Sequence, residues 1–299
     1  MGIIQLMEKE RFDFVFALGS GCACSRMLRE KGLQYASFPL DWVGGISDRV
    51  GAGQSMRITT DIVVRGFDGW FEEAQLERHP RLDSPKYDAY VDRRTGLYFT
   101  HDVPSGASLH SCYREIHEKY QRRIARFLER MEASRKTLAV WVSDPRDPGE
   151  VGEDDIRYSM DALRRRYPKT EFRMLVASCR PGTPPMKAEI IRGGGYESYV
   201  MDYRLVCDGE PTWDIRTEVF DPLLGRFAAR DYRTRGERRA NARRERARAY
   251  EKFKAKSLLD FMITKAAFKL YRHLKRRLER KGVLAGMELS AEAAPETGG

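Results

Sequence analysis

Apolar and polar positions alternate along this chain with two different periods, and the change of period marks its elements. The first apolar run, "FDFVFALG", is β-rich, bounded by charge and by glycine, and too short for a helix, so it predicts a buried strand. "CSRMLREKGL" then reads as a short helix closed by Gly32. "QYASFPLDW" predicts a strand or extended segment with Pro39 at its edge or end, "GGISDRVGAG" a loop into a weak helix, and "DIVVRGF" another strand.

"YDAYVDRRTGLYFTHD" alternates on both sides of "DRRTG", which predicts a β-hairpin turning near Gly96, with His101 and Asp102 ending its second strand. From 108 to 134 the period lengthens: Leu109, Cys112, Tyr113, Ile116, Tyr120, Ile124, Phe127, Leu128 and Met131 recur at three and four, the mark of a long amphipathic helix. "TLAVWVSD", a helix near 153–166 and "EFRMLVAS" form a strand–helix–strand unit long enough for a right-handed parallel crossover. After "CRPGTPP", "ESYVMDYRLV" reads as one more strand and "PTWDIRTEVFDPLLGRF" as irregular or short helical structure.

These elements predict an α/β domain over residues 1–230, with a mixed, largely parallel sheet flanked by helices; a compact α+β papain-like arrangement is the alternative. Residues 231–299 predict a basic, amphipathic helical extension with a disordered C-terminus. Its apolar side carries Leu259, Met262, Ile263, Ala266, Leu270, Leu274 and Leu278.

Charge sharpens that division. The chain of 299 residues carries a net +10, and Arg235 to Lys281 alone hold 18 Lys or Arg against 5 Asp or Glu, leaving the remainder slightly acidic. Residues 236–281 suit an anionic membrane surface, a helix docked on its own domain or a dimer; nucleic acid is the weaker expectation, because no recognition-module signature accompanies the charge. No apolar run reaches the roughly 20 residues that span a bilayer, and the N-terminus lacks a signal-peptide cleavage pattern and the Ser or Thr of a myristoylation site. Five cysteines without paired spacing fit reduced thiols, so the expected location is cytoplasmic, with peripheral attachment to an inner membrane.

Candidate chemistry begins where the first strand runs into "GSGCAC". A strand, a glycine turn and a helix place the turn at the carboxyl edge of a sheet, where ligands bind in α/β folds. Cys22 would stand at the helix N-terminus, where backbone N–H groups and the helix dipole lower a thiol pKa and can serve an oxyanion. Among five histidines His101 stands out as a partner, because it ends a strand, with Asp41 or Asp102 as orienting acids. Two other readings stand beside this one. Cys22 is a small packing residue, or Gly19-x-Gly21 with Asp41 20 residues beyond Gly21 forms a nucleotide-binding turn, although Cys24 occupies the third glycine position.

The stretch "FVFALGSGCACSRMLREKGLQYASFPLDW" resembles the opening of a bacterial family described as papain-like cysteine peptidases and otherwise labelled a domain of unknown function. Leu18, Gly19 and Cys22 match its Leu-Gly-x-x-Cys turn. Pro39, Leu40, Asp41 and Trp42 match its Pro-Phe-Asp-Trp box with Leu40 in place of Phe. "YFTHD" is similar to its His-Asp element and "EKYQRRIARFLERM" to its arginine-bearing helix; the likeness covers about residues 12 to 220. It implies a Cys22 nucleophile with His101 as base. Gly19, Ser20 and Gly21 then form the oxyanion turn, and Trp42 lies on the substrate side.

Arg122, Arg123 and Arg126 can grip a carboxylate or phosphate, or pair with Glu118 and Glu129 on a solvated face. Asp144, Arg146 and Asp214, with its neighbour Trp213, are further residues from which the third catalytic member can come. His110, Cys112, Glu115 and His117 do not converge on a helix, so no metal and no cofactor is expected. Substrates in view are a peptide, a glycan or a small acyl compound. A non-catalytic nucleotide- or glycan-binding protein recruited to a membrane by the tail is the competing function.

Overall fold

The computed structural model describes residues 8–247 except 20, 46–50, 146–148, 184–188, 208, and scattered positions from 250 to 273. Strand β1 (Glu10–Phe12) leads into β2 (Phe14–Gly19), helix α1 (Cys22–Glu30), β3 (Val43–Gly45), α2 (Ala52–Val64) and β4 (Leu76–Arg78). β5 (Tyr87–Asp92) and β6 (Leu97–Pro104) form the hairpin before the long α3 (Leu109–Ala133). Next come β7 (Lys136–Val142), α4 (Glu153–Arg166), β8 (Glu171–Cys179), β9 (Glu189–Gly193) and β10 (Tyr196–Met201). β11 (Arg204–Cys207), β12 (Glu210–Ile215), the one-turn α5 (Asp221–Leu224) and β13 (Phe227–Ala229) close the first of two compact units, Met1–Tyr232 and Arg233–Gly299.

The central sheet has the order β2-β7-β8-β10-β9, parallel except for the antiparallel edge pair β10–β9. A second, antiparallel sheet has the order β3-β6-β5-β4, and the chain is a mixed α/β fold. Strict alternation in β2 decides the layers. Phe14, Phe16 and Leu18 join a core with Phe127 of α3, Met56 of α2 and Leu163 of α4, whereas Val15 and Ala17 meet Cys24, Met27 and Leu28 of α1. Both faces of the parallel strands are therefore covered, as their continuous apolar runs require.

Two expected strands take other forms. "PLDW" is a 3₁₀ turn, Pro39–Trp42, closed by Asp41 Oδ2, which accepts the Phe38 N–H at 2.8 Å. "DIVV" completes helix α2, whose Met56 and Val63 are fully buried: packing overrides the β preference of its branched residues. "ESYVMDYRLV" divides into β10 and β11 where Asp202 pairs with Arg204, and the segment after it holds β12 and a short helix. Residues 235–247 are helical; most of the apolar positions expected on the basic extension lie outside the described residues.

Candidate active site

Parallel neighbours β2 and β7 end at the same sheet edge, Gly19 standing opposite Trp141. Gly19 must be glycine there, because its φ is 147° and a Cβ would lie 2.5 Å from the Trp141 ring. Two residues later Gly21, with φ 81°, caps α1, so Cys22 is the first residue of the helix. The Gly21 N–H donates to the Val43 carbonyl at 2.8 Å, tying this turn to β3. β3 in turn pairs with β6, Val43 opposite Phe99. That chain of backbone bonds brings the Cys22 turn beside the strand that carries His101.

His101 reaches the site through an irregularity. Pairing of β5 with β6 is regular up to Tyr90↔Phe99 and resumes at Asp88↔Val103, so Ala89 alone faces Thr100, His101 and Asp102. A bulge of this kind re-aims side chains. Thr100 and His101, consecutive residues that a flat strand would send to opposite faces, line one recess, while Asp102 turns toward α3. The strand continues past both residues to Pro104.

The recess, small and open to solvent, is bounded by Cys22, Trp42, Tyr98, Thr100, His101 and Asp144, with Gly21, Ala23, Gly44 and Pro145 completing its lining. The Trp42 and Tyr87 rings stand edge-on to the His101 ring, with centroids 5.4 and 6.1 Å away. Tyr98 lies against Gly44, where a Cβ would come within 2.5 Å of its ring, and its hydroxyl donates to Asp144 Oδ2 at 3.3 Å.

Burial pushes the Cys22 thiol above its ordinary value. Arg26 and the residue's own amide pull it down, Asp144 and Asp214 push it up again, and the net direction is upward. Partial desolvation lowers the His101 imidazole below 6.5, against the opposing charge of Asp102. Both directions favour a neutral thiol beside a neutral imidazole over an ion pair.

The remaining expected residues divide by place. Asp41 is fully buried outside the recess. Its Oδ2 accepts from Arg29 at 2.5 Å and Gln34 at 2.7 Å, and burial raises its carboxyl despite Arg29. Arg29 also lies over the Trp42 ring, 5.4 Å from its centroid, so Asp41 reaches His101 only through Arg29 and Trp42. Asp102 accepts from Tyr120 at 2.8 Å and pairs with Lys119.

Arg126 donates to the Ser37 carbonyl at 3.1 Å and Arg123 lies over the Tyr120 ring, both away from the recess, while Arg122 is exposed. Cys24 faces the sheet from α1, donating to the Val140 carbonyl, and burial drives its thiol far above the ordinary range. His110 pairs with Glu73, and no group of metal-ligating side chains converges among the described residues. Ser20 and the side chain of Trp213 lie outside the described residues.

Asp144, Tyr98 and Thr100 join the recess without a sequence motif of their own. The signal for Asp144 is positional: it follows the strand adjacent to β2, so it emerges at the same edge as Cys22.

No curated protein and no solved structure matches the chain. A family model matches residues 13–182, from β2 through β8 and just beyond, which includes every residue lining the recess. The match spans more than half of the sequence, and the chain belongs to the family described as "Putative papain-like cysteine peptidase (DUF1796)".

Proposed function

We propose that this protein is a thiol-dependent acyl hydrolase or transferase in which Cys22 is the nucleophile and His101 the base. The observation that carries the reading is the convergence of a helix-N-terminal cysteine and a bulge-displaced histidine on one recess. Because both groups start neutral, His101 takes the Cys22 proton as sulfur attacks the substrate carbonyl. The oxyanion that forms faces the amides of the first α1 turn, which have no acceptor within the helix. Gly21 is not among the donors, since its N–H is held by Val43. His101 then returns the proton to the leaving group, and water or another acceptor releases the acyl group from sulfur. Asp102, whose negative charge acts on the His101 ring against its desolvation, favours the imidazolium formed on the way, a role expected of Asp41 or Asp102.

The nucleotide-binding alternative is weakened by the same Gly21 bond, which removes a donor from any phosphate cradle in the turn. Peptide mapping after labelling with a chloroacetamide probe near neutral pH tests the thiol assignment. Cys22→Ala is expected to abolish labelling of the α1 peptide and Cys24→Ala to leave it. Equal labelling in both variants would remove Cys22 from the reaction. A panel of fluorogenic amides, esters and thioesters then identifies the bond class.

A further inference from the structure

Arg26 stands one helical turn after Cys22 on the same side of α1, and helical side chains lean toward the N-terminus, which carries its guanidinium back toward the sulfur. Arg26 is also held from outside the helix. Its Nη1 lies 2.5 Å from Oδ1 of Asp214 on β12, and its Nε lies 3.7 Å from Glu30. Asp214 falls beyond the family-matched segment, so the hairpin β11–β12 adds a contact to the site that the matched residues alone do not contain.

We propose that Arg26 is a positioning residue for the Cys22 thiolate, and that Asp214 sets how much of the Arg26 charge the sulfur feels. The inference rests on the reading of Cys22 as the reacting thiol. A cation one turn away stabilises the thiolate, and a carboxylate clamped on that cation offsets it. Both side chains are about half exposed, so water and salt moderate the effect without removing it. The charged groups acting on Cys22 are Arg26 from its own helix, Asp144 after β7 and Asp214 from β12, and the titratable His101 and Tyr98 of β6 line the same recess. Of these only the Arg26–Asp214 pair couples α1 to the hairpin.

The test is the pH profile of iodoacetamide alkylation at Cys22, read by mass spectrometry in the full chain with Cys112→Ser and Cys207→Ser. Asp214→Asn is expected to lower the midpoint and speed alkylation below it by about threefold; Arg26→Gln is expected to slow it by a similar factor. Arg26→Lys should keep the wild-type profile. In the Arg26→Gln background Asp214→Asn should keep only its direct repulsion of the sulfur and so act less strongly than in the wild type. An effect of the same size in both backgrounds would overturn the coupling, as would an unchanged profile in Asp214→Asn. Should Asp214→Asn fail to fold, Asp214→Ser carries the same expectation. His101→Gln tests the catalytic reading separately. Loss of the coupling with turnover intact defeats this inference alone, and loss of His101 dependence with the coupling intact defeats only the catalytic reading.

Discussion

Cys22 and His101 are shifted by the same physical cause in opposite directions, because burial penalises whichever form of each is charged. The rate consequences have a definite sign. The base must be neutral to accept a proton, so the acid limb of kcat/KM is expected below the ordinary imidazole value of 6.5. An acid limb above 6.5 would contradict the partial desolvation of His101, which is still exposed to solvent.

The same shift enters stability. His101 binds more protons unfolded than folded between its two pKa values, so the protein is expected to lose stability as pH falls through that window. Asp41 belongs to structure at this scale. Asp41→Ala leaves Arg29, Gln34 and the Phe38 N–H without their shared acceptor and is expected to cost about 2–3 kcal/mol in denaturant unfolding. The motif was legible in the sequence while the role was not, because a buried carboxylate and a catalytic one have the same letter. Only the Arg29 and Gln34 contacts separate them.

Among the elements, period alone located α3, α4, the β5–β6 hairpin and the parallel pair β7–β8, each a long or strongly alternating segment. Short segments governed by tertiary contacts were not legible: "PLDW" turns on the Asp41 bond to Phe38, and "DIVV" is helical because Val63 packs in the core. The bulge in β6 was equally hidden, since an extra pair of residues leaves no mark in a polar–apolar pattern.

Two element-scale predictions follow from geometry. Gly19→Ala forces a Cβ into the Trp141 ring and is expected to destabilise the protein by about 1–3 kcal/mol, a drop visible as a lower melting temperature. Deleting Thr100 and Asp102 while keeping His101 restores continuous pairing of β6 with β5 and should abolish turnover while the fold persists by circular dichroism. Retained turnover would show that the bulge does not place His101.

The chain divides into two compact units, Met1–Tyr232 and Arg233–Gly299, and every residue of the recess lies in the first. The opposition of a slightly acidic body and a strongly basic tail was readable from charge alone. The fate of the tail was not, because an amphipathic basic stretch suits its own domain, a membrane or a partner. No helix among the described residues is long and apolar enough to cross a membrane. Flotation with vesicles containing anionic lipid separates these roles: flotation of the full chain but not of residues 1–232 would assign the tail to a membrane, and equal flotation of the two would assign it no membrane role.

In the proposed reaction Cys22 and His101 act as one unit. The most direct test is the rate at which an activated thioester acylates Cys22, followed by intact mass, in the wild type and in His101→Gln. The substitution is expected to slow acylation by about 100-fold or more near pH 7. An unchanged rate, or acylation appearing equally on Cys112 or Cys207, would contradict it.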